Sequence, residues 1–275
     1  MKEKNDRGVF KWLLIGFCAL FLLVMLILPL LYVVITSLRD GWNAFWVAVS
    51  DDYAVKAILL TLKTTVIAVV VNTIFGVFAA WLITKYTFKG KKLISTLIDL
   101  PLTISPIIAG LIYVLTFGRQ SFLYDYLEQW GIEIIFAVPG IVLATIFVTF
   151  PFIAREIIPV LTATGNDEEE AAALMGAGGF RIFFEITFPH IKWALLYGVV
   201  LCTARAMGEF GAVSVLSGHL RGLTNTMPLY IELMYQAFDF TGAFAMSSIL
   251  VIMAVVILIL RNILEHRVNS STGQK

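Results

Sequence analysis

Charge is scarce in this chain. Only 14% of its 275 residues are charged against 59% hydrophobic, and the mean hydropathy is +0.89. That balance leaves too little polar surface to coat a core in water, which excludes a soluble globular domain and leaves an integral membrane protein. Cysteine is nearly absent too. Cys18 and Cys202 both fall in apolar stretches, so neither a disulfide framework nor a cysteine zinc site is expected, and both read as small core residues. The three histidines, His190, His219 and His266, lie in different loops or ends and form no metal-ligand constellation. No segment has the Gly-x-x-x-x-Gly-Lys-Ser/Thr pattern that cradles phosphates, and the cluster Gly176, Gly178 and Gly179 follows a helix and lacks the lysine. The chain is therefore not expected to hydrolyse ATP itself, and no cofactor or metal site is expected in it. A formal net charge of +1 leaves no footprint for nucleic acid.

What the chain has instead is long apolar runs. Uncharged stretches lie between Lys11 and Arg39, Lys63 and Lys85, Asp99 and Arg119, Glu133 and Arg155, and Asp239 and Arg261. Each comes to about the 20 residues a helix needs to cross hydrocarbon. A further segment, 193–216, is interrupted by Arg205 and Glu209 and counts as a span because its neighbours then alternate in charge. The first run, 12–38, is longer than the roughly 7–15 residues of a secretory apolar region and has no small-residue cleavage site, so it reads as an uncleaved helix.

Charge retention sets the orientation. With the N-terminus inside, Arg39, Lys56, Arg119 and Arg221 fall outside, Lys63 and Arg205 fall within spans, and the remaining fourteen of the twenty Lys and Arg fall inside. The expectation is an all-α polytopic membrane protein of six transmembrane helices: a cytoplasmic tail 1–11, a lipid-embedded domain 12–264 with an inner loop at about 155–193, and a cytoplasmic tail 265–275. Lys63 is expected to snorkel to the outer interface. Pro29, Pro101, Pro106 and Pro151 are expected to kink or break helices.

The inner loop holds a polar island. Asn166 can cap a helix, Glu169 three residues on completes a capping-box-like pair, and Asp167 to Glu170 place carboxylates where the helix dipole favours them. Gly176, Gly178 and Gly179 are expected to stop it. So short a helix is marginal alone in water. It is either a capped surface helix or one that docks on a partner through Ala171, Leu174 and Met175.

The stretch Glu170-Ala171-Ala172-Ala173-Leu174-Met175-Gly176, followed by Ile186-Thr187-Phe188-Pro189, resembles the EAA loop of ABC importer permeases, with every spacing kept and Phe188 where the family usually has Leu. The resemblance implies a type I importer permease fold whose short loop helix sits in a groove of a cytoplasmic ATPase. Glu170 would then anchor the socket, and Gly176 would permit a tight turn.

A second informative stretch runs Ala204-Arg205-Ala206-Met207-Gly208-Glu209-Phe210-Gly211-Ala212. An unpaired charge at mid-bilayer costs at least about 2.5–3.5 kcal/mol, so Arg205 has to face protein or water. Glu209, four residues on, shares its helix face. The pair either contributes positive potential to an anion pathway or locks helices together, with Gly208 and Gly211 admitting close backbone approach. Beyond it, 221–240 is either an interfacial connector or, with Ser217, His219 and Arg221, a contact for a partner outside. Pro228 can begin a helix there, and Tyr230, Tyr235 and Phe238 suit the headgroup level.

The run Arg-Ala-Met-Gly-Glu-Phe-Gly-Ala at 205–212, with Ser-Gly-His-Leu-Arg-Gly at 217–222 and Thr-Asn-Thr-Met-Pro at 224–228, resembles the W-type permease subunits of bacterial sulfate/thiosulfate ABC importers. Molybdate and tungstate permeases are similar at 208–212 and are the alternative within the class; a secondary anion transporter is the alternative outside it. The resemblance implies a heterodimer with a T-type permease in the bacterial inner membrane and two ABC ATPase subunits that use ATP and Mg. It also implies a periplasmic or lipid-anchored binding protein that delivers the anion.

Overall fold

The computed structural model describes residues 3–271, with side chains considered over 10–263; the ends of both expected tails, and the His266 side chain, lie outside the described residues. Among those residues the chain is helical. Helix α1 runs Glu3–Leu22, through a π turn Leu23–Ile27, to Leu28–Ser37. It is followed by α2 (Trp42–Ser50), α3 (Asp52–Lys85), α4 (Lys91–Thr103), α5 (Pro106–Phe117), α6 (Tyr124–Gln129) and α7 (Val138–Thr164). The rest comprises α8 (Asp167–Leu174), α9 (Gly179–Met207), α10 (Gly211–Ser217), α11 (Met227–Gln236) and α12 (Phe240–Ser271).

Among the described residues five helices, α1, α3, α7, α9 and α12, are long and apolar enough to cross a membrane, and the pair α4 and α5 makes a sixth crossing if it counts as one span. The third uncharged run is broken at a proline, as expected: α4 and α5 meet at a bend of 109°. Pro106 is the cause, since its ring disfavours the helical region for the residue before it, and Ser105 is extended at φ −57°, ψ 133°. The span expected over 193–216 is corrected. It starts earlier, at Gly179, stops at Met207, and resumes as the separate α10.

Proline also explains two widened turns. Pro29 and Pro189 each follow a π turn, Leu23–Ile27 and Phe183–Thr187. A helical proline clashes with the carbonyl four residues back, here Met25 and Glu185, and a wider turn moves that carbonyl away. Pro151, by contrast, sits in α7 with helical backbone at Phe150.

The chain folds into two compact units, one of residues up to 51 with Ile231–Ile252, the other of Asp52–Tyr230 with residues from 253 onward. In the first, Tyr32 meets Phe244 edge-on at 6.2 Å, Trp42 stacks on Phe45 at 5.4 Å, and the Thr241 hydroxyl donates to the Asp40 carboxylate. The most apolar stretch of α1 buries nothing within the chain. Cys18 is exposed on it, which corrects the expectation of a core residue; its surroundings are those of a lipid- or partner-facing helix.

In the second unit α7 is the central helix. Its first half, Ile141, Ala144 and Val148, packs against Ala212, Val213 and Leu216 of α10 and Leu229 of α11. Its second half, Ile153, Ile157 and Leu161, packs against Ala80 of α3 and Ile191 and Cys202 of α9. Ile83 of α3 and Ile98 of α4 close around Ala154. The buried stripe of α3 is made of small residues, among them Ala57, Ala68, Gly76 and Ala80, which let helices approach closely in lipid. A Cβ on Gly76 would stand 3.0 Å from the Ile153 side chain, and one on Gly198 of α9 would stand 3.1 Å from the Ile153 Cα, so Ile153 is held between two glycines. Asn72 donates to Thr149 Oγ1 at 2.8 Å and to the Ile146 carbonyl at 3.2 Å, fixing α3 to α7 with a polar contact inside the apolar core.

Candidate coupling loop and pathway residues

Helix α8 carries Glu170, Ala171, Ala172 and Leu174. It ends on a left-handed glycine: Gly176 has φ +86°, its N–H donates to Ala173 O at 3.0 Å, and the Ala177 N–H donates to Ala172 O at 3.0 Å. These two bonds satisfy the last carbonyls in a Schellman arrangement. Gly178 and Gly179 do not stop this helix, contrary to the expectation; Gly178 is extended and Gly179 opens α9.

The capping box is also corrected. The Asn166 side chain makes no cap bond, and Glu169 turns away to a stronger partner. The Lys85 ammonium at the end of α3 lies 3.0 Å from Glu169 Oε1, and Thr187 Oγ1 donates to that same oxygen at 2.7 Å. Lys85 also donates to the Gly165 carbonyl at 2.5 Å, and its side chain is only 6% exposed. A charge-assisted pair of this kind outweighs a neutral cap. His190 of α9 adds a second tie, 2.9 Å from Glu168. None of these partners of α8 was singled out from the sequence; Lys85 carried only a topological charge there.

The outward side of the segment is bare and apolar. Leu174 is 90% exposed, Met175 88% and Phe180 86%, while Glu170 and Ala171 are exposed too. Ile186, within the π turn, is half-buried, and Pro189, just beyond it, is exposed. Phe180 joins the apolar set from outside the motif.

Arg205 stands in the last turn of α9. Its Nη1 lies 2.6 Å from Glu209 Oε2, and Glu209 Oε1 accepts from the Ala212 N–H at 2.8 Å. The helix has already ended, so the pair bridges the gap between α9 and α10 instead of running along one helix face. Its charges suit both ends: a cation at a helix C-terminus and a carboxylate at the next N-terminus. Glu209 is buried, whereas the Arg205 side chain is 33% exposed. Three residues earlier, Cys202 is buried, 3.8 Å from both Asn72 Nδ2 and the Thr149 carbonyl near the midpoints of α3 and α7. That places Arg205 near mid-height of these helices. Gly211 does admit a close approach, its absent Cβ 2.9 Å from Pro106, but Gly208 meets only the Ala204 carbonyl of its own helix at 3.8 Å.

Beyond α10 the chain makes a tied loop. Ser217 is fully buried, its Oγ accepting from the His219 N–H at 3.1 Å, which removes it from the expected outer contact. His219 and Arg221 are exposed, and the Arg221 guanidinium lies 4.5 Å over the Tyr53 ring. Tyr230 is buried instead of sitting at the headgroup level, whereas Tyr235 and Phe238 are exposed. Lys63 is exposed in an open apolar groove with Ile67 and Pro139.

Similarity to known proteins covers nearly all of this structure. The chain is 44% identical over 260 residues to the sulfate transport system permease protein CysW of Escherichia coli (strain K12), spanning 94% of this chain and 89% of that one. It is 40% identical over 253 residues to the chloroplastic sulfate permease 2 of Chlamydomonas reinhardtii, spanning 92% and 68%. The E. coli permease protein CysT is 32% identical over 253 residues, spanning 92% and 91%. A chain of the bacterial alginate ABC transporter, crystallised with its alginate pentasaccharide-bound periplasmic protein, superposes with a TM-score of 0.80 over 97% of both chains at 17% identity, so it shares the fold. Residues 72–270 match the family described as binding-protein-dependent transport system inner membrane component, and with these relatives the chain belongs to that family of multi-pass transport permeases.

Proposed function

We propose that this chain is a permease subunit of an ATP-driven importer for sulfate and thiosulfate, itself non-catalytic, with a T-type permease as its partner. The observation that carries the substrate is the 44% identity to a sulfate permease across nearly the whole chain. Two cytoplasmic ABC ATPases supply the energy from ATP and Mg, a periplasmic or lipid-anchored binding protein delivers the anion, and both termini lie in the cytoplasm. Leu174 and Met175, exposed at the end of α8, insert into the ATPase, and Glu170 anchors the socket by a charge-assisted contact. Closure of the ATPase pair carries α8 inward, and the spans follow.

At mid-height Arg205 offers the dianion a cation whose orientation Glu209 fixes. Glu209 itself is spent on Arg205 and the Ala212 N–H, so it does not confront the anion as a free charge. His219 and Arg221 form part of the outer face that meets the binding protein.

Uptake of labelled sulfate by cells lacking this gene, with and without the protein restored, tests the reading while unlabelled thiosulfate and molybdate compete in parallel. Sulfate uptake that is lost, rescued and blocked by thiosulfate is the expected result. Unchanged sulfate uptake with molybdate uptake lost would overturn the substrate and keep the importer.

A further inference from the structure

The sequence motif ends α8 but does not hold it to the membrane domain. All eight residues of the helix are unburied, and a helix that short has no stability of its own. Its outer end is bare, while its acidic end meets the buried Lys85. One carboxylate oxygen, Glu169 Oε1, takes both the Lys85 ammonium at 3.0 Å and the Thr187 hydroxyl at 2.7 Å. That oxygen therefore links three elements, α3, α8 and α9. Lys85 grips the other side of the same turn through the Gly165 carbonyl, so it holds the chain both before and within the first turn of α8. The exposed His190–Glu168 contact lies on the same end but is open to water, where such pairs contribute little.

We propose that Lys85 is the positioning residue of the coupling loop: through Glu169 and Thr187 it clasps α8 to the second and fifth membrane helices, so that displacement of the Leu174–Met175 end is delivered to both spans. The clasp rests on the reading that α8 meets an ATPase. Lys85 sits at the C-terminal end of a 34-residue helix, where a cation also complements the helix dipole. Lost charge there leaves Glu169 without its cation and α8 free to swing on Gly165 and Gly176, both at positive φ.

The test uses the complete transporter in proteoliposomes, with sulfate uptake and ATP hydrolysis measured in the same vesicles. Lys85→Met should lower sulfate taken up per ATP by about tenfold, with hydrolysis retained, within the range by which coupling networks are modulated. Glu169→Gln, which keeps the shape and the Thr187 contact, should do the same; it decides the matter if Lys85→Met does not assemble. Amide hydrogen exchange over 165–178, which needs no transport, should speed up in both variants. Ordinary coupling or unchanged exchange in these variants overturns the clasp. Faster exchange in the variants of a wild-type complex that takes up no sulfate would keep the clasp and overturn the substrate reading.

Discussion

Glu209 serves two partners at once, a guanidinium on one side and a backbone N–H on the other, and both oxygens are withdrawn from solvent. Removing one member of a buried pair leaves the other uncompensated, at a cost of about 3–5 kcal/mol. Arg205→Met leaves the buried Glu209 carboxylate without its cation and is therefore expected to lower the unfolding temperature of the solubilised protein and to lose sulfate uptake, whereas Glu209→Ala leaves a partly exposed guanidinium that water can solvate and should cost less stability. A thermal melt and an uptake assay on both variants separate the two effects. Gly176 is the other residue whose chemistry is fixed by geometry. At φ +86° any L side chain costs about 1–2 kcal/mol, so a Glu170→Ala, Gly176→Asp variant should assemble but fail in ATP-driven uptake. Normal transport by that variant would remove both Glu170 and Gly176 from the coupling mechanism.

At the scale of elements, α3 and α9 approach α7 through glycines, and the two sites are not equivalent. A side chain at Gly76 meets Ile153 Cγ2 at 3.0 Å, which can shift, and Ile153 Cβ at 3.1 Å, which cannot, whereas one at Gly198 meets the Ile153 Cα at 3.1 Å. Gly76→Ala and Gly198→Ala should each cost in the overpacking range of about 1–3 kcal/mol, and Ile153→Ala, which keeps Cα and Cβ, should relieve Gly76→Ala in part and Gly198→Ala not at all. Denaturation midpoints of the four variants check this. The π turn Phe183–Thr187 has a similar logic. With Pro189 replaced by Ala, the turn can tighten to an α-helical one, and a one-residue change of register rotates everything before it by about 100°. Phe180 would then face a different direction, which disulfide trapping from a cysteine at that position would detect.

At the scale of the whole molecule, the apolar surfaces divide by surroundings. Helix α1 buries none of its most apolar stretch within the chain, so lipid or the partner permease covers it. With Cys18 and Cys202 replaced, a cysteine at Met175 should react with an impermeant thiol reagent only from the cytoplasmic side, and one at Phe122, 80% exposed between α5 and α6, only from outside. Labelling of Met175→Cys from outside would reverse the topology. These two positions also bracket α7, and opposite accessibility would show that α7 crosses.

The number and class of the apolar helices and the EAA spacing were legible because each depends on composition and period along the chain. The Arg205–Glu209 pair was legible for the same reason, since four residues separate its members. What the spacing did not reveal was that the helix ends between them, because Glu209 caps a second helix that only exists once α10 packs on α7. Sequence likewise offered Asn166 and Glu169 as each other's partners, the local solution. Tertiary structure brought Lys85 from eighty-four residues upstream of Glu169 and put a full charge where the local pattern expected a neutral cap. Sequence by itself determined that this is a multi-pass membrane permease carrying the Glu-Ala-Ala motif, because hydropathy and motif spacing are local quantities. The burial of Ser217 and the anchoring of α8 were decided by the tertiary structure, because each depends on which distant group packs over or neutralises a side chain.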